Sequence, residues 1–253
     1  GQTAGRGTAN GTLIMGDGTA ITTPTANIGM GGTFEGGATG TLDVRGGSLT
    51  FAGADTSLNF GSGSLIITDG ISFAVGDATD RLTHLRIGYN VSGIDLADTA
   101  IDLTKDDFSA YVADELSVGR VANVGWQAQA DGSLVLGADS LIDLGTVAAP
   151  ATLNIGWNES TGDSGYYQYL NFSSAIGLLD AKEGTLTAEL SELNVGQTAG
   201  RGTANGTLIM GDGVTLNSGI ANIGVGTGAT GTLTLLDNFA GTFAATTTNL
   251  DNG

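Results

Sequence analysis

Cysteine is absent from the 253 residues, so disulfides, thiolate metal sites and thiol nucleophiles are excluded. There is one histidine, His84, which argues against a multi-histidine metal centre and leaves a single candidate for a histidine triad. Two prolines exclude a collagen-like or proline-rich chain. Basic residues are scarce: Lys and Arg total 8 against 26 Asp and Glu, a net charge of −18. Such a chain repels nucleic acid and anionic lipid, so no nucleic-acid partner is expected. No apolar run approaches the ~20 residues of a spanning helix, so no membrane insertion by this segment is expected. Charged residues are also few, at 13%, while 40% are hydrophobic, a balance that does not fit disorder.

What the chain has in excess is glycine, 44 residues, more than twice the usual share of ~7%. The glycines fall in repeats. Residues 1–18 read GQTAGRGTANGTLIMGDG, and residues 196–213 read the same eighteen letters. An identity of that length points to duplication within a longer repetitive gene. The expectation is one continuous unit, 1–253, that is a segment of a longer repetitive chain.

A shorter period lies inside the long one. Its marker is aliphatic-x-aliphatic-Gly, as in ANIG ending at Gly29, LNFG at Gly61, LRIG at Gly88, LSVG at Gly119, LNIG at Gly156, LNVG at Gly196 and ANIG at Gly224. With Gly1 placed by its identity to Gly196, the spacings are 28, 32, 27, 31, 37, 40 and 28 residues. Periods in this range mean solenoids, propellers or arrays. After each marker comes a Gly-rich turn and a G-T-L-like run holding Leu13, Leu42, Leu134, Leu186, Leu208 or Leu233. A third run often follows, such as Ser48 to Phe51 or Ser140 to Gly145. The runs alternate apolar with polar, most plainly in Ile101-Asp102-Leu103 and Ile142-Asp143-Leu144, which marks strands with one buried face. Stretches at helical period are missing, and the variable spacing suits corner loops better than propeller blades. The expected fold is all-β: a parallel β-solenoid (β-helix) of about eight coils with roughly three short strands per coil.

Two segments depart from the pattern. In Thr104 to Leu116, a capping-box-like Thr104/Asp107 and the apolar set Phe108, Tyr111, Val112 and Leu116 predict a short side helix over 105–116, with an atypical strand as the alternative. Loop-like inserts are expected over 104–131 and 157–179.

The strings LNVGQTAGRGTANGTLIMGDG and ANIGVGTGATGTLTL resemble the glycine-rich repeats of bacterial autotransporter (type V secretion) passengers and of PEP-CTERM-associated surface proteins. The likeness covers nearly the whole chain, most weakly at 104–131 and 157–179. It implies a parallel β-helix at the cell surface or beyond, in adhesins or extracellular fibres, and carries over no catalytic residue.

The candidates for chemistry are thin. His84 is expected to be an outward or corner residue. The acidic pairs Asp106-Asp107 and Asp114-Glu115 are not catalytic pairs by adjacency, because neighbours on a strand face opposite ways. The calcium nonapeptide does not recur, so no metal site and no cofactor is expected beyond diffuse or weakly bound Ca2+. Aromatics gather in one insert, Trp157, Tyr166, Tyr167, Tyr169 and Phe172, the candidate surface for a glycan or partner; a loop packing its own small core is the alternative. Tyr89 and Trp157 both follow a marker glycine and are expected in one column. Asn27, Asn59, Asn123, Asn154, Asn194 and Asn222 precede the aliphatic-Gly of their runs and are expected to form an amide ladder on an outward face.

These features favour a non-enzymatic structural repeat protein, a stiff extracellular or cell-surface fibre or stalk that stacks on itself within a longer chain or end to end. An adhesin passenger binding a glycan or host surface is the alternative, and a polysaccharide-active β-helix enzyme a distant one.

Overall fold

The computed structural model describes residues 8–31, 37–91, 96–122, 128–160, 173–199, 202–237 and 239–251. Three kinds of strand follow one another along the chain. The first carries the G-T-L-like pattern: Ala9–Met15, Ala38–Val44, Gly63–Ile67, Leu96–Leu103, Gln129–Leu136, Ser173–Ala181, Gly202–Met210 and Ala229–Leu235. The second is short: Ala20–Thr23, Ser48–Phe51, Ser72–Val75 and Leu141–Leu144. The third carries the marker: Thr25–Ile28, Ser57–Phe60, Leu82–Asn90 and Ala151–Asn158. Elsewhere the second and third kinds run together as Asp107–Val121, Thr185–Thr198, Val214–Val225 and Thr242–Leu250.

The pairing between these strands is parallel. In the ten-stranded sheet each marker run pairs with the next marker run in the chain. Ile28, Phe60, Ile87, Val118, Ile155, Val195, Ile223 and Leu250 are successive partners. The first-kind strands form a five-stranded sheet, where Ile101, Leu134, Leu179, Leu208 and Leu233 align, and a three-stranded sheet aligning Leu13, Leu42 and Leu65. Because side chains alternate across a strand, equal register puts like residues on like faces. The core is therefore built of columns: Leu116, Leu153 and Leu193 beside Val118, Ile155 and Val195, all at 0% exposure, face Leu134, Leu179 and Leu208 from the other sheet. Each such burial stabilises by about 1.5–3 kcal/mol.

Among the described markers, all but the one at Gly61 end in a bend that requires glycine. Gly29, Gly88, Gly119, Gly156, Gly196 and Gly224 have φ between 63° and 68°, the left-handed region that L side chains avoid. A Cβ on Gly119, Gly156 or Gly196 would also overlap a carbonyl oxygen, of Ile176, Asn205 and Thr230 respectively. The glycines of the first-kind strands meet these bends. A Cβ on Gly132, Gly177, Gly206 or Gly231 would overlap the amide nitrogen of Gly119, Gly156, Gly196 or Gly224. Two glycine columns thus let the backbones of the two sheets touch at one corner.

One position in that row is not glycine. Thr99 pairs with Gly132 where its neighbours carry glycine, and here the first-kind sheet splits between Gly63–Ile67 and Leu96–Leu103. The Thr99 side chain needs room that backbone contact denies. Its buried hydroxyl donates to the Gly61 carbonyl at 2.7 Å and accepts from the Gly63 N–H at 3.1 Å. The Ser62 hydroxyl likewise donates to the Leu96 carbonyl at 2.9 Å. Hydroxyls take over where main-chain pairing stops.

The side helix expected over 105–116 is not there; no helix occurs among the described residues. Asp107–Val121 is one strand whose burial alternates from exposed Asp107 through buried Phe108, Ala110 and Val112. The helical spacing of Phe108, Tyr111 and Val112 was a coincidence of an alternating strand: Phe108 packs against Phe73 with ring centroids 6.0 Å apart and planes tilted by 45°, while Tyr111 points to the other face. Thr104 closes a turn, its N–H bound by the Asp102 carboxylate at 3.0 Å. The region 104–131, expected as a loop-like insert, therefore holds a central strand of the largest sheet and the start of Gln129–Leu136. Of 157–179, Trp157 and Asn158 end one strand and Ser173 to Leu179 open another. Residues 161–172 lie outside the described residues.

Two substitutions test this packing. Gly156→Ala, at a left-handed bend against the Asn205 carbonyl, is expected to cost more than ~2 kcal/mol, read as a lowered urea midpoint, whereas Gly16→Ala, with open space around it, changes stability by less than ~0.5 kcal/mol. Thr99→Val is expected to cost about 1–3 kcal/mol by stranding the Gly61 and Gly63 backbone groups, and Thr99→Ser, which keeps the hydroxyl, much less.

Candidate functional site

The marker strands carry a second set of columns on the face opposite the aliphatic residues. Register aligns Asn27, Asn59, Arg86, Ser117, Asn154, Asn194, Asn222 and Asn249 in one column. The side chains bond along it. Asn249 Nδ2 donates to Asn222 Oδ1 at 2.7 Å, Asn222 Nδ2 to Asn194 Oδ1 at 2.8 Å, and Asn194 Nδ2 to Asn154 Oδ1 at 2.8 Å. Asn59 Nδ2 donates to Asn27 Oδ1 at 2.9 Å. The amide ladder expected from the sequence is therefore present, with Arg86 and Ser117 filling two of its positions; Asn123 lies outside the described residues. Its exposure differs from expectation. Asn59, Asn154, Asn194 and Asn222 are 1–6% exposed, because stacked neighbours cover each amide from above and below and further columns flank it.

Where the ladder changes to Arg86 and Ser117, charge replaces amide. One column carries Ser57, His84, Glu115, Thr152 and Glu192, and another Tyr89, Arg120, Trp157 and Gln197. These place one carboxylate, Glu115, 7% exposed, at the centre of five side chains. The Arg86 guanidinium reaches Glu115 Oε2 with Nη2 at 2.7 Å and Nε at 2.9 Å. Arg120 Nη1 and the Ser117 hydroxyl both donate to Oε1. Asn154 Nδ2 lies 3.4 Å from Oε1, and His84 Nδ1 3.4 Å from Oε2 without good hydrogen-bond geometry. Arg120 turns its other edge to Glu159, at 2.7 and 3.1 Å, and His84 Nε2 lies 3.1 Å from Asp55.

The aromatic residues pack on the same cations. Arg86 lies 4.9 Å over the Tyr89 ring, and Arg120 lies 4.6 Å over Trp157 and 5.8 Å over Tyr89. Tyr89 and Trp157 do share a column, as expected, but Arg120 separates them. Burial raises the Tyr89 hydroxyl pKa despite both arginines.

Burial alone would push the Glu115 carboxyl up. His84, then Arg120 and Arg86, then the Ser117 hydroxyl outweigh it and hold the group far below the usual carboxylate range. Arg120 in turn is raised, its burial outweighed by Glu115 and Glu159. A carboxylate so held stays ionised and cannot serve as a proton donor near neutral pH. The arrangement is a closed charge network: both guanidinium groups meet carboxylates and both oxygens of Glu115 accept. No group of three or more potential metal ligands stands together among the described residues.

Of the aromatic set singled out in the sequence, Trp157 is half-buried with one face against Arg120, and its buried Nε1 has no hydrogen-bond partner among the described residues. Tyr166, Tyr167, Tyr169 and Phe172 lie outside the described residues. The Glu115 network was not foreseen. Its signal was the placement of scarce arginines at marker positions 86 and 120, inside a period that elsewhere carries neutral residues. His84, expected as an outward polar residue, is a half-buried member of the same network.

No family model, curated protein or solved structure matches the chain.

Glu115→Gln is expected to destabilise the protein by about 3–5 kcal/mol near neutral pH, because two buried guanidinium groups lose their shared carboxylate. The pH dependence has a definite sign. The folded pKa of Glu115 is depressed, so the unfolded chain takes up its proton first, near pH ~4.3, and the stability Glu115 supplies is complete above that pH and lost as pH falls below it. Urea melts of wild type and variant should converge from pH ~5 downward; a gap independent of pH would contradict this role.

Proposed function

We propose that the chain is a parallel β-solenoid of eight coils whose task is mechanical: a stiff, acidic rod that serves as a fibre or stalk outside the cell or on its surface. Each coil would comprise a G-T-L-like run, a short second run and a marker run before the chain rises to the next. The observation that carries this reading is the register of the marker residues from Ile28 to Leu250, each paired in parallel with the next one in the chain. Chains that climb one strand spacing per circuit extend along one axis, about 4.8 Å each time, or very roughly 40 Å for eight coils.

The side chains support a load-bearing role over a chemical one. Three of the scarce cations, Arg81, Arg86 and Arg120, tie different strands together, while Arg45 and Lys182 pair locally with Asp43 and Asp180. Arg86 and Arg120 meet on Glu115, and Arg81 reaches Asp143, 62 residues ahead, with Nη2 at 3.1 Å. The surface and extracellular placement, with a bacterial outer surface favoured, rests on the resemblance of the Gly-rich strings to autotransporter passenger repeats. Electron microscopy of the purified chain is expected to resolve rods about 40 Å long with a 4.8 Å axial repeat, and antibodies to label intact producing cells. Round particles without that repeat would contradict the fold, and label confined to the cell interior would contradict the placement.

A further inference from the structure

We propose that Gly63–Ile67, Ser72–Val75 and Leu82–Asn90 together form a joint at which the stack parts and recloses, held shut by arginines that reach from it to the strands on either side. The proposal rests on strand pairing and side-chain contacts, and it does not need the mechanical reading.

The pairing is interrupted twice at these strands. Gly63–Ile67 pairs with Ala38–Val44 before it but not with Leu96–Leu103 after it. Ser72–Val75 does the reverse: it pairs with Asp107–Val121 after it but not with Ser48–Phe51 before it. Only Leu82–Asn90 is paired on both sides, with Ser57–Phe60 and with Asp107–Val121. Each break has described strands on both sides of it. Two breaks, on different faces and one strand apart, leave the marker ladder alone to carry the connection. A stack built this way bends about its intact side and opens on the others.

At both breaks hydroxyls stand in for main-chain pairs. The first is bridged by Thr99 and Ser62, whose hydroxyls reach Gly61, Gly63 and Leu96, and Ser62 Oγ also accepts from the Asp98 N–H at 3.2 Å. At the second, the Thr56 N–H donates to Thr83 Oγ1 at 2.9 Å and the Thr83 N–H to Thr56 Oγ1 at 3.0 Å. The core is also less well packed here. Leu65 is only partly buried, although its register partner Leu42 is fully buried. An apolar cavity of about 10 Å³ lies beneath the first break, lined by Leu58, Phe60, Leu65, Ile87, Ile101 and Phe108. Side chains that face a void forfeit dispersion contacts.

Charge ties the joint shut. Residues 81–86 read RLTHLR, three basic side chains in a chain that has few. Arg86 reaches back to Asn59 Oδ1 at 3.4 Å and forward to Glu115 at 2.7 Å. Arg81 crosses a whole strand. Its Nη1 donates to the Val112 carbonyl at 3.4 Å and the Asp143 carbonyl at 3.1 Å, and its two terminal nitrogens reach the Asp143 carboxylate at 3.2 and 3.1 Å. The Arg81 and Asp143 side chains are 14% and 28% exposed, so solvent screens this pair only in part. His84 stands between Asp55 and Glu115, but Asp55 is exposed and that contact is the weakest. The longest ties thus start where the ladders fail.

The test places single cysteines in a chain that has none. Ile101 and Leu179 share a column and are 3% and 0% exposed, but Ile101 borders the first break and Leu179 lies within the five-stranded sheet. Under native conditions a thiol reagent is expected to modify Ile101→Cys about ten-fold faster or more than Leu179→Cys. Adding Arg81→Gln, which cuts the tie to Asp143, is expected to raise the first rate about five-fold or more and to leave the second within about two-fold. Hydrogen exchange on the wild-type chain needs no core substitution. The Gly63 and Asp98 amides, held by hydroxyls, are expected to exchange about ten-fold faster or more than those of Leu134 and Leu179. Equal labelling of the two thiols, or equal protection of the four amides, overturns the joint. Equal acceleration of both thiols by Arg81→Gln marks global unfolding and overturns the tie.

Discussion

The close approach of backbones at one corner is the constraint on which this structure depends. Marker glycines in the left-handed region turn the chain, and the glycines of the next strands meet those bends with no room for a Cβ. Every level must then present its bend at the same height and angle as the levels beside it. Once that corner is fixed, the strands leaving it share a register, and the columns of Leu, Ile and Val follow because side chains alternate across a strand. The core is a consequence of the corner. Thr99 makes the point by exception. A single Cβ in the glycine row coincides with a break between sheets, bridged by hydroxyls instead of main-chain pairs.

The polar columns answer a second constraint. The face opposite the core also becomes buried when identical strands stack, so its groups need partners. Asparagine satisfies itself, because each amide donates to one neighbour and accepts from the other. In the middle of the stack the column changes to Arg86 and Ser117, and the ladder closes on Glu115. That carboxylate receives the amides from one side and Arg86 starts the amides on the other. The charge cluster is thereby the point from which the ladder takes its direction, which is why its parts are so fully engaged.

Much of this was legible in the sequence. The period of the markers, the three runs per period and the shared column of Tyr89 and Trp157 follow from spacing and alternation alone. The parallel, all-β arrangement did too. The error at 105–116 came from reading Phe108, Tyr111 and Val112 as a helical face in a segment whose alternation of Phe108, Ala110 and Val112 was equally plain. The burial of the asparagines was hidden because alternation tells which face a residue takes, not what covers that face. The Glu115 network was hidden for a different reason. Its members come from five strands or turns between Asp55 and Glu159, and only the register brings them together.

The account stands or falls on that register. The most direct measurement is solid-state or solution NMR of through-space contacts between side-chain amides, with asparagine labelled selectively. The account predicts contacts linking Asn154 to Asn194, Asn194 to Asn222 and Asn222 to Asn249, with amide protons protected from solvent. Asparagine amides that exchange freely and show no contact with one another would contradict it.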